Sequence, residues 1–460
     1  MDALAAPPPP LWLRRGFVLL LTVIVLAVAV QYAVKAAESR SAFVRWRNQI
    51  QALGDGVDIY QRYTYPNAPI MALILYPLSL LPKMDLGGAV FDLGALCWFL
   101  LKVAMTVLAF RWSVQIIQSP GRPFLWWGQA AMLLLTLRPI IGDLSHGNVN
   151  LLILFLVVAA LFAFHQGRDG LGGVLLALGI ACKVTPALFV VYFLWKRAWR
   201  AVVGCAVGLV LFLLIVPGTI VGQTRNWELL NSWMDVMIWP YVRDGWVWTE
   251  HNNQSIPGLV YRLGTDNPSF LDEEDKPVDY HNLVSLEPWA AKGIVKGLGI
   301  AFLLVMCWSC RTPTRPRENW MLAAEYSLIL LGMLLFSERT WKHHCVTLLL
   351  PFGVLCYYLT AFRASSGWRL FLVGTIAVAV VLISSTSTTL WELLGDKRGA
   401  KLAQVYGGYT WAQLLLVVAV VALLRKHRGP AAVLDPKSEG KPVAWRLTRG
   451  AYSPRSPATT

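Results

Sequence analysis

Apolar runs of near-bilayer length alternate with short polar segments along almost the whole chain, at 16–34, 88–110, 124–141, 147–164, 170–182, 184–196, 200–217, 291–309, 319–336, 343–361, 367–385 and 408–424. A spanning helix needs ~20 mostly apolar residues, and hydrocarbon offers unpaired backbone groups no partner, so the pattern predicts an all-α, polytopic membrane protein with about twelve spans. The fifth and sixth runs are short. They meet at Lys183-Val-Thr-Pro186, where the proline removes a helix hydrogen bond, giving two short spans or one broken hairpin. Ile70–Leu81, bounded by Pro69 and Pro82 and interrupted by Pro77, is too short to span and is expected to lie at the interface or re-enter it.

Composition agrees with this reading: 56% of residues are hydrophobic and 15% charged, against roughly 25% charged in a soluble domain. The net charge of +15 does not point to nucleic acid, because much of it lies in short loops between apolar runs. With the N-terminus cytoplasmic, Arg14 and Arg15 fall on the same side as Arg111, Arg122, Arg168, Lys196, Arg197, Arg200, Arg311, Arg315, Arg317, Arg363, Arg369, Arg425 and Lys426. That is the positive-inside arrangement, with Lys397, Arg398 and Lys401 as the exception. It places both termini in the cytoplasm and commits loops 35–87 and 218–290 to the outer face. The expected organisation is a flexible lead at 1–15, a membrane domain at 16–424 and a disordered basic tail at 425–460. The seven cysteines lie mostly within apolar runs, so neither disulfides nor a zinc site is indicated.

The polar residues suited to chemistry collect on the outer side. Asp58, beside Tyr60, Tyr63 and Tyr65, is either a solvated loop carboxylate or a general base. Arg138 to Asn150 carries an Arg, an Asp, a His and two Asn before an apolar helix; Asn148 suits a helix cap or, like Arg138, an anion site. Lys183 lies at an apolar break, where an ammonium is costly unless paired. Asn253 and Gln254 sit in the longest loop. Ser337-Glu-Arg-Thr-Trp-Lys-His-His344 offers His343 and His344 for binding or proton transfer, or as satisfied core residues. Trp239, Tyr241, Trp246 and Trp248 suit sugar stacking or an interfacial aromatic belt. The segregation of these groups predicts one extracytoplasmic cavity near the membrane surface.

In order and spacing, Gly56-Val-Asp58-Ile-Tyr60, Tyr63-Thr-Tyr65-Pro66, Leu78-Ser-Leu-Leu-Pro82, Gly147-Asn148-Val-Asn150, Lys183-Val-Thr-Pro186, Asn253-Gln254-Ser255-Ile-Pro-Gly258-Leu-Val-Tyr-Arg262 and Trp341-Lys-His343-His344 resemble glycosyltransferase family 87 over roughly residues 16–425. The chain departs from that pattern at Pro66-Asn67, where two prolines are usual, and at Ser145-His146 before Gly147-Asn148, where Gly-Gln-x-Asn is more usual. The resemblance implies a GT-C-type fold and transfer of a sugar, mannose foremost, from a polyprenyl-phosphate donor to a lipid or glycan acceptor on the outer face of a bacterial plasma membrane. It implies Asp58 as the general base, Lys183 and Arg138 for the donor phosphate, and His343 or His344 for phosphate or acceptor contacts. Asn148, Asn150, Asn253 and Gln254 are implied as further substrate contacts. No cofactor or metal is expected, since a lipid phosphate leaves as a stable anion. A secondary transporter shares the span count and the broken helix, but the chain shows no internal repeat and its polar groups gather at one face instead of the midplane.

Overall fold

The computed structural model describes residues 9–86, 89–272, 274, 276–396 and 398–427. The lead's first residues, Lys397 and most of the basic tail therefore lie outside the described residues.

Each expected apolar run is helical over most of its length, as one helix or as abutting helical segments. Among the described residues, seven helices are long and apolar enough to cross a bilayer: Leu11–Ala37, Leu93–Ile117, Trp199–Val221, Pro288–Ser309, Lys342–Ala361, Ser366–Ser385 and Gly408–Lys426. Shorter apolar helices, Asn150–His165, Asp169–Cys182, Thr185–Trp195 and Trp320–Leu335, complete the core. Asn150–His165 and Trp320–Leu335 are buried nearly all round, which explains why they lack a polar stripe. By contrast, Leu11–Ala37, Pro288–Ser309 and Ser366–Ser385 leave most of their side chains facing outward, as lipid contact requires.

Small residues let the core helices approach closely. A Cβ at Gly173 would stand 2.1 Å from the Ala201 carbonyl oxygen, and one at Gly204 2.3 Å from that of Gly170, so Asp169–Cys182 and Trp199–Leu209 cross backbone to backbone. At one end of the bundle Glu325 accepts hydrogen bonds from the Tyr192 hydroxyl at 2.9 Å, the Lys196 ammonium at 2.8 Å and the Thr312 amide at 2.6 Å, neutralising a carboxylate that is wholly buried.

Two features add detail to the expected architecture. The chain is not purely helical: Lys83–Leu86 pairs antiparallel with Ala89–Asp92, and Phe270–Leu271 with Pro277–Asp279. The first hairpin delays the second span, which starts at Leu93 behind an Asp92 cap. The Asp92 carboxylate accepts from the Ala95 amide at 2.9 Å and pairs with Arg47 at 2.6 Å. The proline-bounded run is a helix, Pro69–Ser79, that buries Ile70, Met71, Ala72 and Leu75 against its neighbours and is part of the core.

Candidate active site

The helix Trp126–His146 ends at Gly147, whose φ of 70° is the left-handed conformation that terminates helices. The chain turns at once into Asn150–His165. The break at Lys183 and the start of Lys342–Leu348 lie at the same end of the bundle, so four chain segments converge there.

A line of polar side chains crosses this junction. The Lys102 ammonium, on Leu93–Ile117, donates to the Asp143 carbonyl at 2.6 Å and lies 3.6 Å from its carboxylate; both side chains are wholly buried. Asp143 accepts from the Asn150 amide at 3.1 Å and from the Leu151 backbone N–H at 3.2 Å. Asn150 in turn accepts from Lys183 at 2.8 Å. Asp143 thus closes the N-terminus of Asn150–His165. Asn148 does not cap it: its carbonyl accepts from the adjacent Val149 amide at 2.7 Å, which turns its NH2 group toward His343 Nε2 at 3.1 Å. That contact makes Nε2 the acceptor and leaves the His343 proton on Nδ1.

The two histidines form a ring cluster with His146. Centroids are 4.8 Å apart for His146 and His343 and 4.8 Å for His343 and His344, while Trp341 stacks on His344 at 6.0 Å. His344 Nδ1 lies 3.1 Å from the Arg339 carbonyl oxygen and 3.3 Å from the Trp341 backbone nitrogen, so it donates to the first when protonated and accepts from the second when not. A small cavity opens beside this cluster, lined by Asn150, Lys183, Ser337, Thr340, His344 and Thr347 among others. Among the described residues the buried Thr347 hydroxyl has no hydrogen-bond partner. Glu338 stands at its rim, where burial raises its carboxyl above the usual carboxylate range and Arg339 and Lys183 draw it back down.

Asp58 lies in a separate segment. It caps the short helix Ile59–Tyr63, with Oδ1 accepting from the Tyr60 amide at 2.9 Å and the Gln61 amide at 3.2 Å. The carboxylate is thereby oriented, and those bonds leave Oδ2 uncommitted. Among the described residues no hydrogen bond or ring contact joins Asp58 to Lys183, His343 or His344; Tyr60 and Tyr65 stand 6.3 Å apart, with Tyr65 near Cys182. Beside this segment a groove of about 520 Å³ lies between Leu53, Leu73, Tyr76, Ile220 and Val221, with Arg225 at its edge bonded to the Gly56 carbonyl at 2.7 Å.

Three expected substrate contacts take other places. The Asn253 NH2 donates to the Trp248 and Glu338 carbonyls, and its Oδ1 accepts from the Ser255 and Thr340 amides, which exhausts its capacity. Gln254 donates both amide hydrogens to the His251 and Gln404 carbonyls and accepts from the Tyr409 amide. Asn253 thus braces the backbone at Glu338 and Thr340 beside the cavity. Arg138 donates to the Ile383 carbonyl, and Lys342 to that of Thr386 at 2.6 Å, so both cations serve the C-terminal end of Ser366–Ser385. Of the aromatic candidates, Trp248 lies under the Arg339 guanidinium at 4.5 Å and the Tyr241 hydroxyl bonds the Phe336 carbonyl at 3.3 Å, while Trp246 is half exposed.

Sequence reading missed Lys102, which lies unmarked within an apolar run, and Arg262, which holds the loop 249–253 to residues 404–405 through five carbonyl contacts. Only an intramembrane charge flags the first.

The family model of glycosyltransferase family 87 matches residues 63–337. The chain is similar to a polyprenol-phosphate-mannose-dependent alpha-(1-2)-phosphatidylinositol pentamannoside mannosyltransferase of Mycolicibacterium smegmatis, 29% identical over 371 residues that make up 79% of this chain and 75% of the relative. It is also similar to a polyprenol-phosphate-mannose-dependent alpha-(1-2)-phosphatidylinositol mannoside mannosyltransferase of the same organism, 27% identical over 384 residues, 81% of this chain and 79% of that one. The crystal structure of ArnT from Cupriavidus metallidurans bound to undecaprenyl phosphate superposes with a TM-score of 0.41 and 15% identity, covering 89% of this chain and 78% of that one.

Proposed function

Because this chain belongs to glycosyltransferase family 87, we propose that it transfers mannose from a polyprenyl-phosphate donor to the hydroxyl of a lipid acceptor at the outer face of the membrane. The observation that carries this reading is the cavity whose wall combines an ammonium, an imidazole and hydroxyls at the end of an apolar bundle, a setting that suits a phosphate whose tail stays in the bilayer. Mannose and the lipid acceptor follow the similar mannosyltransferases, whose names state a polyprenol-phosphate-mannose dependence and phosphatidylinositol mannoside acceptors.

In this mechanism Asp58 Oδ2 takes the proton of the acceptor hydroxyl as its oxygen attacks the anomeric carbon. The bond from that carbon to the phosphate oxygen breaks, and polyprenyl phosphate departs with the electron pair. Lys183 binds the phosphate through the N–H groups that Asn150 leaves free, and His344 at the cavity wall contacts the phosphate or the acceptor hydroxyl. Asn148 holds His343 in place. The leaving phosphate is a stable anion without Lewis-acid help, so the reading assigns no metal. The architecture proposed is of GT-C type, with about twelve spans, both termini in the cytoplasm and the catalytic cavity outside.

Purified protein supplied with a polyprenyl-phosphate mannose and a phosphatidylinositol mannoside should yield an acceptor heavier by one hexose in mass spectrometry. Absence of transfer from mannose, glucose and arabinose donors alike would overturn the reading. Orientation is checked separately. In intact cells, a membrane-impermeant thiol reagent should label Glu274→Cys above the background of native thiols and leave Thr314→Cys unlabelled, and equal labelling would reverse the assigned sides.

A further inference from the structure

Lys102 and Lys183 are linked through Asp143 and Asn150. The line Lys102–Asp143–Asn150–Lys183 passes from Leu93–Ile117 through Trp126–His146 and Asn150–His165 to the break after Cys182, with successive contacts of 2.6 Å, 3.1 Å and 2.8 Å. Each link fixes the next. Because the Asn150 NH2 donates to Asp143, its carbonyl must face the other way, toward Lys183, so the amide cannot turn without losing both bonds. Asp143 itself cannot swing, since its other oxygen holds the Leu151 amide at 3.2 Å.

The charges explain the second lysine. Two ammonium groups and one carboxylate leave a surplus of one positive charge, and Lys183 is the cation that reaches the cavity wall, near the unpartnered Thr347 hydroxyl. An uncompensated Asp143 so close to Lys183 would oppose any anion arriving there, because charges in a low-dielectric interior are weakly screened. Lys102, 3.6 Å from that carboxylate and equally buried, cancels it.

We propose that Lys102 and Asp143 are positioning residues of the donor-phosphate site: Asp143 fixes the Asn150 amide so that its carbonyl aims the Lys183 ammonium into the cavity, and Lys102 cancels the Asp143 charge so that the charge on Lys183 stays available to a phosphate. This inference rests on the reading of Lys183 as a phosphate ligand.

A double-mutant cycle on the purified full-length protein tests it, with binding of undecaprenyl phosphate and steady-state kinetics as readouts. Asn150→Leu and Asp143→Asn, the latter combined with Lys102→Met so that the net charge is kept, should each weaken binding about tenfold, the scale of one hydrogen bond to a charged group. Each should raise the donor KM with little change in kcat, as loss of equal ground-state and transition-state binding does. In a Lys183→Met background neither should add to the loss. Full additivity in that background would overturn the relay while leaving the phosphate reading intact. Unchanged binding in Lys183→Met alone would overturn the phosphate reading and the relay with it. If Asp143→Asn fails to fold, Asn150→Leu carries the cycle, since it strands no buried charge, and unaltered affinity in that variant refutes the proposal.

Discussion

Asp58→Asn should lower sugar transfer by about 10²–10⁴-fold while donor binding persists, the range expected when a positioned general base is lost. The amide keeps the shape of the carboxylate, and its oxygen can still accept from the Tyr60 and Gln61 amides, so the helix Ile59–Tyr63 retains its cap. What disappears is the ability of the second oxygen to take a proton. Asp58→Ala loses the cap as well, at a cost of about 1 kcal/mol, and comparing the two variants separates folding from chemistry. Asp55 is the matched control. It follows the helix Ala42–Gly54, is exposed, and caps nothing with its side chain, so Asp55→Asn should stay within a few-fold of the parent. Transfer at the parental rate in Asp58→Asn, measured with saturating donor and acceptor, would remove Asp58 from the mechanism. The experiment is informative because the family match spans residues 63–337, which excludes Asp58, His343 and His344. Their roles rest on the resemblance of their motifs to the family's, and this variant tests the first of them.

Much of the membrane architecture was legible because one force dominates it. A bilayer demands long apolar runs, and a run such as Leu93–Ile117 is visible in any window along the chain. The hairpin from Lys83 to Asp92 was not, because four-residue strands leave almost no periodic signal and this pair is closed by Arg47, far away in sequence. The candidate site divides along similar lines. Lys183 was readable as an ammonium at a break in an apolar segment, and the structure places it at the cavity wall. Its relation to Lys102 was not readable, since Lys102 finds Asp143 only through tertiary packing, across 41 residues. Asn148 and Asp143 exchanged roles for the same reason. Either can cap the helix that follows, and the backbone turn at Gly147 decides which oxygen arrives. Asn253 and Gln254 show a second thing motif reading leaves out: polar residues in a loop suggest ligands, and here their amides also hold protein to protein.

The same logic makes Arg262 a residue whose loss should be severe without touching substrate. Its side chain is wholly buried and donates to the carbonyls of Val405 at 2.9 Å, Thr249 at 3.1 Å, Glu250 at 3.0 Å, Asn253 at 3.1 Å and Gln404 at 3.3 Å. No carboxylate bonds it, so burial lowers its pKa to about 9 with only Glu250 acting in the other direction, and carbonyl dipoles take the place of a counter-ion. These carbonyls belong to the loop that carries Asn253 and to the segment leading into Gly408–Lys426, and Asn253 in turn fixes the backbone at Glu338 and Thr340 beside the cavity. Arg262→Met fills similar volume but withdraws a donor from each of those oxygens, of which those of Glu250 and Gln404 keep another from the Asn253 and Gly407 backbone N–H. Each orphaned group costs about 1–3 kcal/mol, not additively, so a loss of at least 3 kcal/mol is expected. Lys is no substitute, because one ammonium cannot reproduce the planar fork that serves two strands of chain at once. Thermal unfolding in detergent should therefore show both Arg262→Met and Arg262→Lys melting well below the parent. Any Arg262→Met protein that remains folded should lose activity because the Glu338–Thr340 backbone is no longer held. Parental stability in Arg262→Met would show that this loop keeps its place without the guanidinium, and that the cavity wall is supported from elsewhere.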